Sequence, residues 1–348
     1  MEDYTKVSIK PKVSTILFCI PGGPTSGHIM RVRAILEAYH SMYSELANIR
    51  PVGILLADDT EPLLEIGVEI YHAQSAAEDL SFLYRMRPSI IIWDTAPDLF
   101  PATLDYIRRT NSQAVLILRH QKEKWLHRVE PYLELSTEIW IPHQWKHDGF
   151  EPFFPVMSEI FWKKTIYIGD VFNCQPLLSK DYARSKLGIC STSVAVLLGL
   201  GQDAQADWHL NRLAPILNQN EELELIAFRS GNPVPGIRCL NPRYPLSIYL
   251  PAFDAAVASV GYNLVRELLY ANVPSIFSCL GRTRDNCQAR LESLRRLGIG
   301  VCLDTFEPLK LYEMLNSLLA SSPASSRSTF LEVGGAKKAA SRLFSLLT

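Results

Sequence analysis

Residues 244–300 read YPLSIYLPAFDAAVASVGYNLVRELLYANVPSIFSCLGRTRDNCQARLESLRRLGIG. Within it, Ala255–Ala258 is short, apolar and lacks polar alternation, the pattern of a strand covered on both faces. It runs into Ser259-Val260-Gly261, and a helix is predicted to open near Tyr262. Pro274 then starts a further strand, Ser275–Phe277. Strand, glycine turn, helix and strand in that order is the repeating unit of an α/β protein with a parallel sheet. The free N–H groups at such a helix start form an anion site suited to a diphosphate. Glu267 lies about one and a half turns further in. A carboxylate there can accept two hydrogen bonds from a ribose diol, or it is a solvated acid on the helix face. After the next strand, Arg282 and Arg284 add positive charge, and Asp285 and Gln288 add hydrogen-bonding groups. Surface arginines without a ligand are the plainer reading of that pair.

Outward from this stretch the same unit opens the chain twice. Ser14–Ile20 (STILFCI) reads as a buried strand, followed by the turn-rich Gly22–Gly27. From His28 onward, Ile29, Val32, Ile35, Leu36 and Tyr39 recur at helical spacing. Ser193–Leu198 is a second opening strand, followed by Gly199-Leu200-Gly201. Further strands are predicted at Val52–Leu56, Ser89–Trp93, Ala114–Leu118, Glu138–Ile141, Leu223–Phe228 and Gly300–Leu303. Two α/β units in tandem are therefore expected, joined near Gly169–Gln175, where both periodicities break. The expected division is an N-terminal Rossmann-like unit over 1–169, a C-terminal one over 170–330, and a last helix within 331–348. Ser322–Arg327 reads as a linker, and Lys337–Leu347 as that helix.

Composition fits this reading. The chain has 348 residues, 47% hydrophobic and 20% charged, enough apolar material for packed cores in two domains. Its 35 Lys+Arg against 36 Asp+Glu leave a formal charge of −1, which disfavours a dedicated nucleic-acid binder. No apolar run reaches the ~20 residues of a membrane span, and the polar start MEDYTKVSIKPK resembles no targeting segment. Seven widely spaced cysteines without C-x-x-C make neither a disulfide framework nor a zinc cluster. In ILFCI and SIFSC they read as reduced, small hydrophobes, so a cytoplasmic location is expected.

Facing α/β units bind ligands at the carboxyl ends of their strands. The first such loop is Pro21–His28. Its glycines allow close approach to an anion, though they also suit a tight strand-to-helix turn. His28 at the helix start would stay neutral and could act as a general base, or merely cap the helix. Asp94, just past a buried strand, could orient that histidine or cap the next helix. His143 and His147 have a metal-pair spacing but lack H-E-x-x-H and a third ligand, so no metal site is expected. G-x-S-x-G is absent, which disfavours an α/β-hydrolase. The aromatic stretch Phe150–Lys164 suits either peripheral contact with a membrane surface or core packing.

The run D-x-A-V-A-S-x-G-Y-N-x-x-x-E-L-L-x-x-x-V-P-S-I, then R-D-N-x-Q-A-R and L-x-x-L-G, resembles the carboxyl-terminal domain of family 28 glycosyltransferases. The type member of that family makes the peptidoglycan lipid precursor. The amino-terminal G-H-I-M-R-V-R-A-I is similar to that family's first loop and helix. It is equally similar to the nucleotide-sugar hydrolase of pseudaminic acid synthesis. LRHQKEKW (Leu118–Trp125) resembles the family's acceptor-side segment, which falls on Arg119 and His120.

The resemblance implies a GT-B fold, two Rossmann-like domains around a nucleotide-sugar donor. It places the ribose-binding acid on Glu267 and the phosphate-contacting helix start on Ser259, Gly261, Tyr262 and Asn263. The sugar-reading glutamine falls on Gln288, beside Asp285, and the glycine loops on Gly27, Gly199, Gly201 and Gln202. L-G-L-G-Q-D replaces the family's usual G-G-S-Q-G at the last of these.

No D-x-D occurs to hold a metal on the donor. The expected activity is thus inverting, metal-independent transfer from a UDP-linked or related nucleotide sugar to an acceptor hydroxyl, without a further cofactor. His28 and Asp94 are the expected catalytic pair. The acceptor could be a glycan, a lipid-linked molecule or a small molecule. Hydrolysis of a nucleotide sugar on the same scaffold and a non-catalytic binding role are the alternatives.

Overall fold

The computed structural model describes residues 13–22, 27–44, 48–56, 60–119, 125–142, 159–201, 203–229, 233–241, 244–279, 287–321 and 331–348. The strands are β1 (Ser14–Ile20), β2 (Ile49–Leu55), β3 (Glu69–His72), β4 (Ile90–Asp94), β5 (Gln113–Ile117), β6 (Glu138–Ile141), β7 (Thr165–Tyr167), β8 (Val194–Gly199), β9 (Leu223–Phe228), β10 (Arg238–Leu240), β11 (Ala255–Ser259), β12 (Ser275–Ser278) and β13 (Val301–Leu303). The helices are α1 (Gly27–Tyr43), α2 (Glu61–Leu64), α3 (Ala76–Met86), α4 (Pro101–Arg109), α5 (Leu126–Leu135), α6 (Glu159–Lys164), α7 (Lys180–Leu187), α8 (Ala204–Leu217), α9 (Tyr262–Tyr270), α10 (Cys287–Arg296), α11 (Pro308–Ala320) and α12 (Gly335–Leu347).

The strands form two wholly parallel sheets. The first has the order β3-β2-β1-β4-β5-β6-β7, the second β10-β9-β8-β11-β12-β13. Each opens on a central strand and reverses direction beside it, at β1/β4 and at β8/β11, and a crevice forms outside the strand ends at such a reversal. Register at the two points is Ile16↔Ile90 through Cys19↔Trp93, and Ala255↔Val196 through Ala258↔Gly199. The central strands are buried on both faces. Leu17 and Cys19 of β1 enter one apolar cluster, and Ile16, Phe18 and Ile20 enter the opposite one. The second sheet is clothed in the same way, with Ala256 and Ala258 on one side and Ala255 and Val257 on the other.

The predicted central strands form, shifted by a few residues at their ends. β3, β7 and β10 were not expected. All three lie at sheet edges and are half exposed, so they carry no continuous apolar run. The last helix begins two residues earlier than expected and returns to the first sheet. Ala339, Ala340 and Leu343 share a core with Val32 and Ile35 of α1, and Phe344 stacks on Tyr43 at 4.3 Å.

One reading is corrected. Cys279, at the end of β12, and Cys287, which opens α10, are paired as a disulfide with Cα atoms 5.6 Å apart. The fold brings together two residues eight apart in sequence, a spacing without a motif. Among the described residues no helix is long and apolar enough to cross a membrane, and no cluster of His, Cys, Asp and Glu could hold a metal ion.

Candidate functional site

The reversal point of the first sheet carries the residues that matter most. β1 leads to α1, whose second residue is His28, and the neighbouring β4 ends on Asp94. His28 Nδ1 lies 3.0 Å from Asp94 Oδ2. Asp94 is 1% exposed and also receives Arg31 Nη1 on both oxygens, at 2.5 and 2.7 Å, and the Thr95 hydroxyl at 2.9 Å. Burial would raise the Asp94 pKa, but the Arg31 charge and the His28 contact outweigh it and hold the carboxyl well below its usual range.

An ionised Asp94 can only accept, so His28 donates from Nδ1 and keeps its lone pair on Nε2. Burial, the largest influence, lowers the His28 pKa. Asp94 pulls it up, Arg119 and Arg31 push it down, and the net shift is downward. A neutral imidazole is the form that can take up a proton. Its side chain is 17% exposed, so a ligand can reach it.

The backbone at this point is unusual. Thr95 stands at φ 72°, a left-handed conformation that is an outlier for a β-branched residue and is typical of functional sites. Its hydroxyl receives Arg119 Nε at 3.1 Å. The expected acceptor-side arginine is therefore wired through Thr95 to Asp94.

The second sheet contributes the start of α9. Gly261 occupies the cap position and makes no side-chain cap. Asn263 Nδ2 donates to Gly27 O at 2.9 Å, so the tips of α9 and α1 touch. The Tyr262 ring is buried between guanidiniums. Arg266, Arg31, Arg290 and Arg119 lie 4.4, 5.5, 5.6 and 6.0 Å from its centroid. Arg290 Nη1 donates to Val260 O at 2.6 Å, and Arg266 Nε to Asp170 Oδ1 at 3.0 Å. Asp170 also accepts from the Glu332 amide at 3.2 Å, so both chain crossings between the sheets meet α9 at one carboxylate.

Glu267 sits one turn beyond Asn263 on the same side of α9. It is 7% exposed, and among the described residues no hydrogen bond acts on its carboxyl group. Burial alone raises its pKa to about 7.

The structure thus brings His28, Asp94, Arg119, Gly27, Tyr262 and Asn263 into one cluster. Ser259 and Gly261 lie buried at its base. Gly199 has a packing role, because a Cβ there would stand 2.5 Å from Leu264 Cδ2. Gly201, at φ +115°, supplies a turn that L side chains rarely adopt. Gln288 is exposed and bonded to Asp304. His120, Gln202, Arg282, Arg284, Asp285, His143, His147, the 23–26 part of the first loop, the 150–158 part of the aromatic stretch and the Ser322–Arg327 linker lie outside the described residues.

Sequence reasoning missed Arg31, Thr95, Asp170, Arg266 and Arg290. Arg31 and Arg290 stand inside the quoted G-H-I-M-R and R-D-N-x-Q-A-R runs. Thr95, Asp170 and Arg266 left no signal before the fold was known.

No family model matches the chain, and no curated protein is significantly similar to it in sequence. Solved structures match over nearly its whole length. The spinosyn forosaminyltransferase SpnP superposes with TM-score 0.67 at 14% identity, covering 97% of this chain and 100% of its own. The UDP-GlcNAc 2-epimerase from Neisseria meningitidis, bound to UDP-GlcNAc, gives 0.64 at 11%, covering 96% and 99%. The spinosyn rhamnosyltransferase SpnG complexed with thymidine diphosphate gives 0.60 at 11%, covering 96% of each chain. At such identities the likeness establishes the fold, which is GT-B.

Proposed function

We propose that this chain is a nucleotide-sugar-dependent glycosyltransferase, inverting and independent of metal. The observation that carries the proposal is His28 Nδ1 held 3.0 Å from the buried Asp94 carboxylate, beside the start of α9. His28 Nε2 takes the proton of an acceptor hydroxyl. The acceptor oxygen attacks the anomeric carbon from the face opposite the diphosphate, and the sugar–diphosphate bond breaks with its electron pair leaving on the phosphate oxygen. That charge is met by the N–H groups of residues 262–264 and by the arginines around Tyr262. Glu267, buried and unpartnered, accepts the ribose diol. Gly199 and Gly201 shape the neighbouring loop, and the donor-side roles of Gln202, Asp285 and Gln288 are those that the resemblance implies. In the present form the α9 tip is covered by α1, so the two tips must part for a diphosphate to enter.

The division at 169/170, with the acceptor on the first unit and the donor on the second, belongs to the same proposal. So do a UDP-linked or thymidine-linked donor and a cytoplasmic location.

The test is incubation with a panel of uridine and thymidine diphosphate sugars, with and without candidate acceptors, preceded by a thermal-shift screen of the diphosphates. Binding, slow release of sugar alone and acceleration by an acceptor are expected. Rapid stoichiometric release without acceptor would make the chain a hydrolase. No rise in melting temperature with any nucleotide would leave it a non-catalytic binding protein.

A further inference from the structure

Two fully or nearly buried arginines of this chain are bonded in opposite ways. Arg184, on α7, donates to Ala252 O, Cys190 O, Ser191 O and Asp254 Oδ2. That is how a guanidinium staples a fold together. Arg31 is 0% exposed, yet among the described residues its side chain bonds Asp94 alone, through Nη1. Its Nε and Nη2 are buried without a partner among those residues. Each unmet buried donor costs about 1–3 kcal/mol, so Arg31 is a poor staple, and what it does in this structure it does to Asp94.

A buried carboxylate paired with a histidine and nothing else would gather a proton and settle as an ion pair, and an imidazolium cannot act as a base. The Arg31 charge cancels that of Asp94, so His28 faces a nearly neutral couple. At an effective dielectric of about 20, charges a few ångströms apart interact by several kcal/mol, enough to decide which form is populated. Arg31 lies three residues after His28, on the same face of α1.

The groups facing His28 from the surrounding elements are few. Among the described residues they are Asp94 from β4, Arg119 from the segment after β5 and Arg31 on α1 itself. Arg119 acts in the same direction and pushes His28 down more strongly than Arg31 does, whereas on Asp94 Arg31 is the stronger of the two.

Building on the reading of His28 as the proton acceptor, we propose that Arg31 is a positioning residue that fixes the Asp94 carboxylate for His28 and keeps the imidazole neutral. The assignment extends the reaction machinery to a residue that need not touch substrate.

The experiment is ¹⁵N-histidine NMR on the full chain without nucleotide, with His28 assigned by its loss in His28→Gln. In the wild type, His28 is expected to be neutral at pH 7 with its proton on Nδ1. Arg31→Gln keeps a donor for Asp94 and removes the charge, and is expected to raise the proton affinity of His28 by about tenfold or more. Arg31→Lys keeps the charge and is expected to leave it within about threefold of wild type.

An unchanged titration in Arg31→Gln, or equal shifts in both variants, would overturn the assignment. So would a wild-type His28 that is already cationic at pH 7, a result that needs no Arg31 variant to fold. No nucleotide enters the measurement. Its failure would leave the nucleotide-sugar reading standing, and failure to bind nucleotide would leave the titration result intact.

Discussion

Half-buried His28 and buried Glu267 are titratable groups that both favour their uncharged forms, and they affect stability at opposite ends of the pH range. The folded pKa of His28 lies below its ordinary value, so its contribution is present above about pH 6.5 and is lost as pH falls from there. The folded pKa of Glu267 is raised to about 7. Its contribution is therefore present below the ordinary glutamate range and is lost as pH rises through 7. Glu267→Gln should be more stable than wild type at pH 8, by on the order of 3 kcal/mol, and close to wild type at pH 4. Urea unfolding at the two pH values measures this, and a difference independent of pH would contradict it. His28→Gln should lower kcat by about 10²–10⁴-fold with the Kd for nucleoside diphosphate unchanged, as read by steady-state kinetics and calorimetry. Both residues could be picked from the sequence. Their electrostatic state could not, because it depends on how deeply α1 and α9 are buried.

At the scale of elements, the central strands were readable because parallel strands covered on both faces leave unbroken apolar runs such as Ile90–Trp93 and Ala255–Ala258. The edge strands β3, β7 and β10 were not, since each short, half-exposed run carries polar residues, whereas β13, also at an edge, keeps the apolar run Val301–Leu303. The start of α9 was legible from Ser259-Val260-Gly261. Its contact with α1 was not, because Asn263 and Gly27 are 236 residues apart in sequence. That contact yields a prediction. Asn263→Ala removes the one side-chain hydrogen bond seen between the two tips, so it should cost no more than about 1 kcal/mol of stability. Nucleoside diphosphate should bind it no more weakly than wild type, by calorimetry. Markedly weaker binding would show that Asn263 serves the ligand rather than the closed form.

Across the whole molecule, the second sheet communicates with the first at Asp170, and the chain's end packs on the first sheet through α12. Leu343 is 0% exposed in the core it shares with α1. Leu343→Ala should therefore destabilise the protein by about 2–5 kcal/mol in urea unfolding, although it lies far along the chain from β1. The buried arginines around Tyr262 come from α1, the segment after β5, α9 and α10, so no local window of sequence could have grouped them. The central claim is that the two reversal points face one another across a diphosphate. Its most direct measurement is a crystal structure of the chain with a bound uridine or thymidine diphosphate. The account predicts the diphosphate on the amides of residues 262–264, the ribose diol on Glu267, and the α9 tip parted from Gly27. A nucleotide bound elsewhere, with Asn263 still on Gly27 and Glu267 untouched, would contradict it.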